Sequence, residues 1–167
     1  SFADIGSAGF RRWLRLETRF SRGVLPMLSL LDMDDVHIES RVIQSALALE
    51  AIGYQLALDE GIGGKKARHE HLDARLKRIL EDLPLAVVED DWPQRSADVY
   101  NGVKHANRQL PDVLEMVRVQ RENILVFRAW VSHRVGVRTP GLGLSIQRDD
   151  DMQWLLRRGL APAICSQ

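Results

Sequence analysis

Apolar residues recur at helical intervals along almost the whole chain. Between Val36 and Glu60, residues Ile38, Val42, Ala46, Leu49, Ile52 and Leu56 form one stripe, joined by Ile43, Leu47 and Tyr54. Apolar groups cover so much of the circumference that this segment is expected to be the central core helix. Gly61-Ile62-Gly63-Gly64 ends it, because glycine accepts the left-handed conformation that closes a helix. A second long pattern follows Asp112, a helix cap with Glu115 three residues on, and runs to about Val135 through Leu114, Val117, Ile124, Leu125 and Val131. Arg121 and Arg128 interleave with those apolar groups, which leaves open that some of them face a site.

Shorter patterns surround these two. Ser7 to Phe20 sets Phe10, Trp13 and Leu14 between Arg11, Arg12, Arg15 and Arg19, a helix with a basic outer face. Gly23 and Pro26 interrupt it, and Leu25 to Leu31 resumes as a short helix that stops at Asp32-Met33-Asp34-Asp35. Ala67 to Leu83 reads as one helix, with Leu72, Leu76 and Ile79 inward and Arg68, Arg75, Lys77 and Arg78 outward. Leu85 to Val88 is too short for a convincing strand and is expected to be a connection with a buried anchor. Trp92-Pro93 opens a helix that should run to about Arg108 before Leu110-Pro111 breaks it. Gly136 to Gly143 reads as loop, Asp149 to Gly159 as a last short helix, and the tail after Pro162 as loose.

No alternating strand, repeat or low-complexity segment stands out, so the predicted fold is all-α, a bundle with two long central helices and shorter flanking ones. Three parts are expected: a helical lead-in over 1–35, the bundle over 36–138, and over 139–167 a loop, a short helix and a tail packed on the same domain.

Composition narrows the possible functions. The 167 residues, 45% of them hydrophobic, suit one domain with a real core. With 23 basic and 23 acidic residues no global field draws the chain to nucleic acid or an acidic membrane, so any anion site must be built from local charge. The single cysteine, Cys165, excludes an intrachain disulfide framework and a cysteine-rich zinc site, and points to a reducing compartment. No apolar run is long enough for a membrane span, and Ser1-Phe2-Ala3-Asp4 is not a signal peptide, so a cytoplasmic protein is expected. A chain that opens on Ser rather than Met is expected to be a fragment or a processed form, with room for a further N-terminal domain.

The candidate chemistry lies in Tyr100-Asn101-Gly102-Val103-Lys104-His105-Ala106-Asn107-Arg108. On a continuous helix Asn101, His105 and Arg108 fall at i, i+4 and i+7, with Lys104 beside them, so four functional groups share one face. An imidazole moves protons near neutral pH and adjacent cations stabilise a developing phosphorane. In RNA the 2′-hydroxyl is an internal nucleophile. Here His105 would be acid or base, Lys104 and Arg108 would bind the phosphate, and Asn101 would orient a partner. A solvated polar helix face is the plain alternative. Tyr100 is open to two roles, a core aromatic or a base-stacking group. Glu50, inside an apolar run, either lies at an exposed edge or needs a cationic partner, for which His105, Lys104 and Arg108 are the candidates. His69 and His71 are two residues apart and diverge on a helix, so they make no metal pair. No metal or cofactor is implied.

Ala48-Leu49-Glu50-Ala51 in a long helix, a helix ending near Leu83, then Trp92 and the Tyr100-to-Arg108 stretch together resemble the HEPN superfamily. The branch most similar is the C-terminal HEPN domain of ApeA-like bacterial anti-phage proteins. The resemblance covers about residues 36 to 135, and the helix around Trp13 looks like that branch's lead-in. It implies a helical bundle, often a homodimer, that cleaves RNA without metal as a phage-defence effector. The HEPN signature is an arginine, a polar residue, then three residues and a histidine. Asn101 and His105 match its last two elements, while Tyr100 stands where the arginine belongs. Arg108, one turn beyond the histidine, is the expected replacement for that charge. A domain kept for dimerisation or ligand sensing fits the same departure.

Overall fold

A computed structural model describes residues 2–33 and 35–161. Cys165, the tail after Pro162 and Asp34 of the acidic turn lie outside the described residues. Within them the chain is all-α, with no strand: α1 (Phe2–Arg19), α2 (Ser21–Leu31), α3 (Ile38–Asp59), α4 (Gly64–His69), α5 (Leu72–Glu81), α6 (Trp92–Lys104), α7 (Val113–Val135), α8 (Thr139–Gln147) and α9 (Asp150–Leu156).

The wide apolar face of α3 makes it the hub, packed by α2, α4, α5, α6 and α7. Leu49, Ile52 and Leu56 meet Val24, Met27 and Leu30 of α2, Leu76 and Ile79 of α5, and Ile124 and Leu125 of α7 in the main core. A smaller cluster joins Val42 of α3 to Val99 of α6 and to Met116 and Val119 of α7. Each fully buried side chain of this size stabilises the fold by about 1.5–3 kcal/mol. That explains how α2 keeps Pro26 within it: Val24, Met27 and Leu30 on its inner face are completely buried, which offsets the lost backbone bond.

Several elements depart from the sequence pattern. The Ala67-to-Leu83 segment is two helices, parted where Glu70 takes an extended conformation and its carboxylate receives two bonds from Arg78, at 2.9 and 3.2 Å. Arg75, expected outside, is buried. The 136–143 loop shortens to a three-residue connection, because Leu142 and Ile146 bury themselves as part of α8. The interleaved arginines of α7 hold α9: Arg121 pairs with Asp151 at 2.7 Å, and Arg128 with Asp149 at 3.0 Å and Asp151 at 3.1 Å.

A polar layer crosses this apolar interior. The side chain of Asn123 in α7 accepts hydrogen bonds from the Trp92 indole at 3.1 Å and the Ser96 hydroxyl at 3.0 Å, and donates to Ser45 of α3 at 3.0 Å. Ser45 in turn donates to the Val42 carbonyl at 3.1 Å. Three helices are thereby set in register, since any slip strands buried donors and acceptors. Asn123→Ala should therefore cost about 2–4 kcal/mol in urea denaturation. The exposed Gln94→Ala should cost under about 0.5 kcal/mol. Equal losses for the two would show that the layer contributes nothing specific.

Candidate functional site

Helix α6 carries the first part of the Tyr100-to-Arg108 stretch, as far as Lys104, and its first turns are anchored most firmly. Trp92 is fully buried, and Pro93 sits in the first turn, where its missing N–H costs nothing. Three residues into α6, Arg95 reaches Glu122 of α7 at 2.9 Å and Asp91 at 2.5 Å. Arg118, one turn before Glu122, bonds the same carboxylate at 3.0 Å and Glu89 at 2.6 Å. Glu122 is completely buried. Burial pushes its carboxyl above the ordinary carboxylate value, against the opposing pull of Arg95 and Arg118. Burial also opposes the charge on Arg95, yet Glu122 and Asp91 hold its pKa above the usual arginine value.

The other end of α6 ends sooner than the sequence pattern predicts. The helix stops at Lys104, and His105 is extended (φ −108°, ψ 106°), with its N–H closing the last turn on Asn101 at 3.1 Å. The chain then turns back through a bond from the Arg108 N–H to the His105 carbonyl at 2.9 Å. The expected i, i+4, i+7 face of Asn101, His105 and Arg108 is therefore not formed. A close contact accompanies the helix end: Pro111 folds back onto Gly102, where an added Cβ would lie 2.7 Å from its Cγ. Asp112 then caps α7 by accepting from the Leu114 N–H at 2.8 Å.

The turn nonetheless gathers the candidate cations. Lys104, His105 and Arg108 are all exposed, and a four-residue turn keeps the Cα atoms of His105 and Arg108 within about 7 Å. Neither His105 nor Arg108 has a side-chain hydrogen bond or ion pair among the described residues. Asn101 is half-buried on the last turn of the helix. Tyr100 is a core aromatic, 6% exposed, with the Lys104 ammonium 5.0 Å from its ring centroid. Beside the turn, Leu110, Val113 and Leu114 are more than half exposed.

Glu50 belongs to a different place. Its partner is Arg75 of α5, at 2.6 Å, rather than His105, Lys104 or Arg108. Arg75 spans from Glu50 to the carbonyls of Ala67 at 2.9 Å and Arg68 at 3.1 Å, and its guanidinium carbon is 5.4 Å from the Tyr54 ring centroid. The two carbonyls at the end of α4 draw Arg75 inward, a long-range effect that helical periodicity does not report. The Glu122 cluster left no distinct local signal, because Glu122 and Asn123 belong to the polar run Gln120-Arg121-Glu122-Asn123.

Among the described residues no helix is long and apolar enough to cross a membrane. No known protein family, curated protein or solved structure matches the chain.

If the fold-back of Pro111 sets the turn, Gly102→Ala should destabilise the protein by about 1–3 kcal/mol through overpacking. It should also speed amide exchange between residues 105 and 112. Unchanged exchange there would show that the turn forms without this contact.

Proposed function

We propose that this chain is a HEPN-type effector domain of a bacterial phage-defence protein, cytoplasmic and dimeric, that cleaves RNA without metal. One observation supports the reading best: Lys104, His105 and Arg108 stand exposed and without an ion pair around one turn, next in the chain to the exposed Leu110, Val113 and Leu114. Unpaired cations suit a phosphate, and an exposed apolar patch rimmed by polar groups suits a protein partner. Pairing two copies across that patch brings two such turns together, doubling the local positive charge on a chain whose net charge is zero.

In the proposed reaction His105 takes the proton of a ribose 2′-hydroxyl. The oxygen attacks the adjacent phosphorus, the bond to the 5′-oxygen breaks, and a second imidazolium, from the other copy, protonates that leaving oxygen. The products are a 2′,3′-cyclic phosphate and a 5′-hydroxyl. Lys104 and Arg108 neutralise the phosphorane in place of the arginine that Tyr100 replaces, and Asn101 orients the phosphate. The second reading, a non-catalytic module that dimerises or senses a ligand, has a cleft beside Glu50 in its favour.

The test is RNA degradation in EDTA. Wild type should cleave, His105→Ala should lose about 100-fold or more, and Leu114→Asp should lose both dimer and cleavage. Equal cleavage by wild type and His105→Ala, or loss of activity on adding EDTA, would overturn the reading. Full cellular function in His105→Ala together with its loss in Leu114→Asp would establish the non-catalytic module instead.

A further inference from the structure

A cleft of about 490 Å³ opens between the junction of α1 with α2 and the outer face of α3, well within the size range of small-molecule sites. Phe20, Leu47 and Ala51 supply its apolar walls, while Glu50, Tyr54 and Arg75 supply polar groups. Leu47 is 45% exposed, an unusual state for a leucine on the hub helix.

The charges around this cleft are almost balanced. Asp59 holds Arg19 through bonds of 2.5 and 2.9 Å, and Glu50 holds Arg75 at 2.6 Å. Arg22 lines the same cleft, is exposed, and has no side-chain hydrogen bond or ion pair among the described residues. It sits in the first turn of α2, an 11-residue helix with no side-chain cap and no acidic residue at its start. Only Phe20 separates that turn from the end of α1, and the Phe20 carbonyl accepts the Gly23 and Val24 N–H groups at 2.9 Å, so the Arg22 guanidinium is the positive group offered there. Gly23 lets this turn press against α3, since a Cβ there would lie 2.5 Å from the Ala48 carbonyl oxygen and from Ile52 Cγ1.

A second observation is independent of Arg22. Arg75 is only 7% exposed, lines the cleft, and its Nε has no hydrogen-bond partner. That Nε is shielded from the cleft, while the two terminal nitrogens hold Glu50 and the Ala67 and Arg68 carbonyls, so Arg75 fixes the Glu50 carboxylate where the cation of a ligand would meet it. Glu50 uses Oε1 for Arg75, keeps its side chain 32% exposed, and has a second oxygen free to accept.

We propose that this cleft binds a small zwitterion of the amino-acid type, free or at the ends of a short peptide. Its carboxylate lies against Arg22. Its ammonium lies at Glu50 beside the Tyr54 ring, and its apolar side chain lies along Leu47 and Phe20. A polyanion is disfavoured, because Glu50 occupies the floor and only one arginine is unpaired.

The experiment is calorimetric titration of the full chain with phenylalanine, phenylalaninamide, N-acetylphenylalanine, phenylalanylphenylalanine and inorganic phosphate. Phenylalanine should bind saturably, and removing either its carboxylate or its ammonium should weaken binding about tenfold, as expected for one charge-assisted contact. The dipeptide binding more tightly than the free amino acid identifies a peptide ligand, and the reverse identifies an amino acid. Arg22→Gln removes an exposed, unpartnered side chain and should weaken binding about tenfold with unchanged thermal unfolding. Leu47→Trp should fill the cleft and abolish binding. His105→Ala should bind normally, which separates this site from the proposed RNA site. Absence of saturable binding, equal affinity for the capped analogues, phosphate binding as tightly as phenylalanine, or unchanged binding in Arg22→Gln and Leu47→Trp would each overturn the proposal.

Discussion

One carboxylate, Glu122, lies wholly buried beneath two guanidinium groups where α6 meets α7, and the placement of the rest of α6 depends on it. Removing such an ion from water costs several kcal/mol, which only close, well-directed partners can offset. Arg95 and Arg118 supply them, and Asp91 and Glu89 then occupy the outer faces of those arginines. The neighbouring Asn123 extends the same junction to α3 through Ser45. Burial raises the pKa of Glu122, so the associated stability is present in acid, below the ordinary carboxylate value, and is lost as pH rises through the raised one. Asp59 has the opposite sign. Its hydrogen bond from Arg19 lowers its pKa, and that solvent-screened contribution is lost as pH falls.

This junction links packing to the candidate chemistry. With the first turns of α6 clamped, Val103 of its last turn still packs on the cluster of Val42 and Val99, and Pro111 lies against Gly102 where the chain bends sharply. Lys104, His105 and Arg108 consequently project from a short turn whose base is rigid. The same geometry leaves Leu110, Val113 and Leu114 uncovered next to them. A cation-bearing turn and an apolar patch are thus two products of one structural event, the doubling back of the chain between α6 and α7.

Sequence patterning conveyed the long elements well because their apolar stripes are wide and their ends are punctuated. Val36 to Glu60 was expected and Ile38–Asp59 is found; Asp112 was expected to cap α7 and does so. Where tertiary contacts outvote local preference, the pattern misleads. Nothing between Ala67 and Leu83 announces a break, since the separation at Glu70 follows from its bond to Arg78 in the next helix. Pro140, Gly141 and Gly143 argue for a loop, yet burying Leu142 and Ile146 makes α8. Arg75 lies on the polar side of a local helix plot, but Glu50 and two backbone carbonyls draw it inward. At the candidate site the residue types were legible, whereas their shared helical face was not, because Lys104 to Leu110 contains no strong breaker.

The most direct measurement is the unfolding free energy of Glu122→Ala, from urea denaturation at neutral pH. Leaving Arg95 and Arg118 facing a hole where their shared carboxylate stood should cost about 3–5 kcal/mol. The backbone signals of Tyr100 to Arg108 should shift in the folded fraction. A loss below about 1 kcal/mol with those signals unmoved would contradict the view that this buried carboxylate positions α6 and the turn it carries.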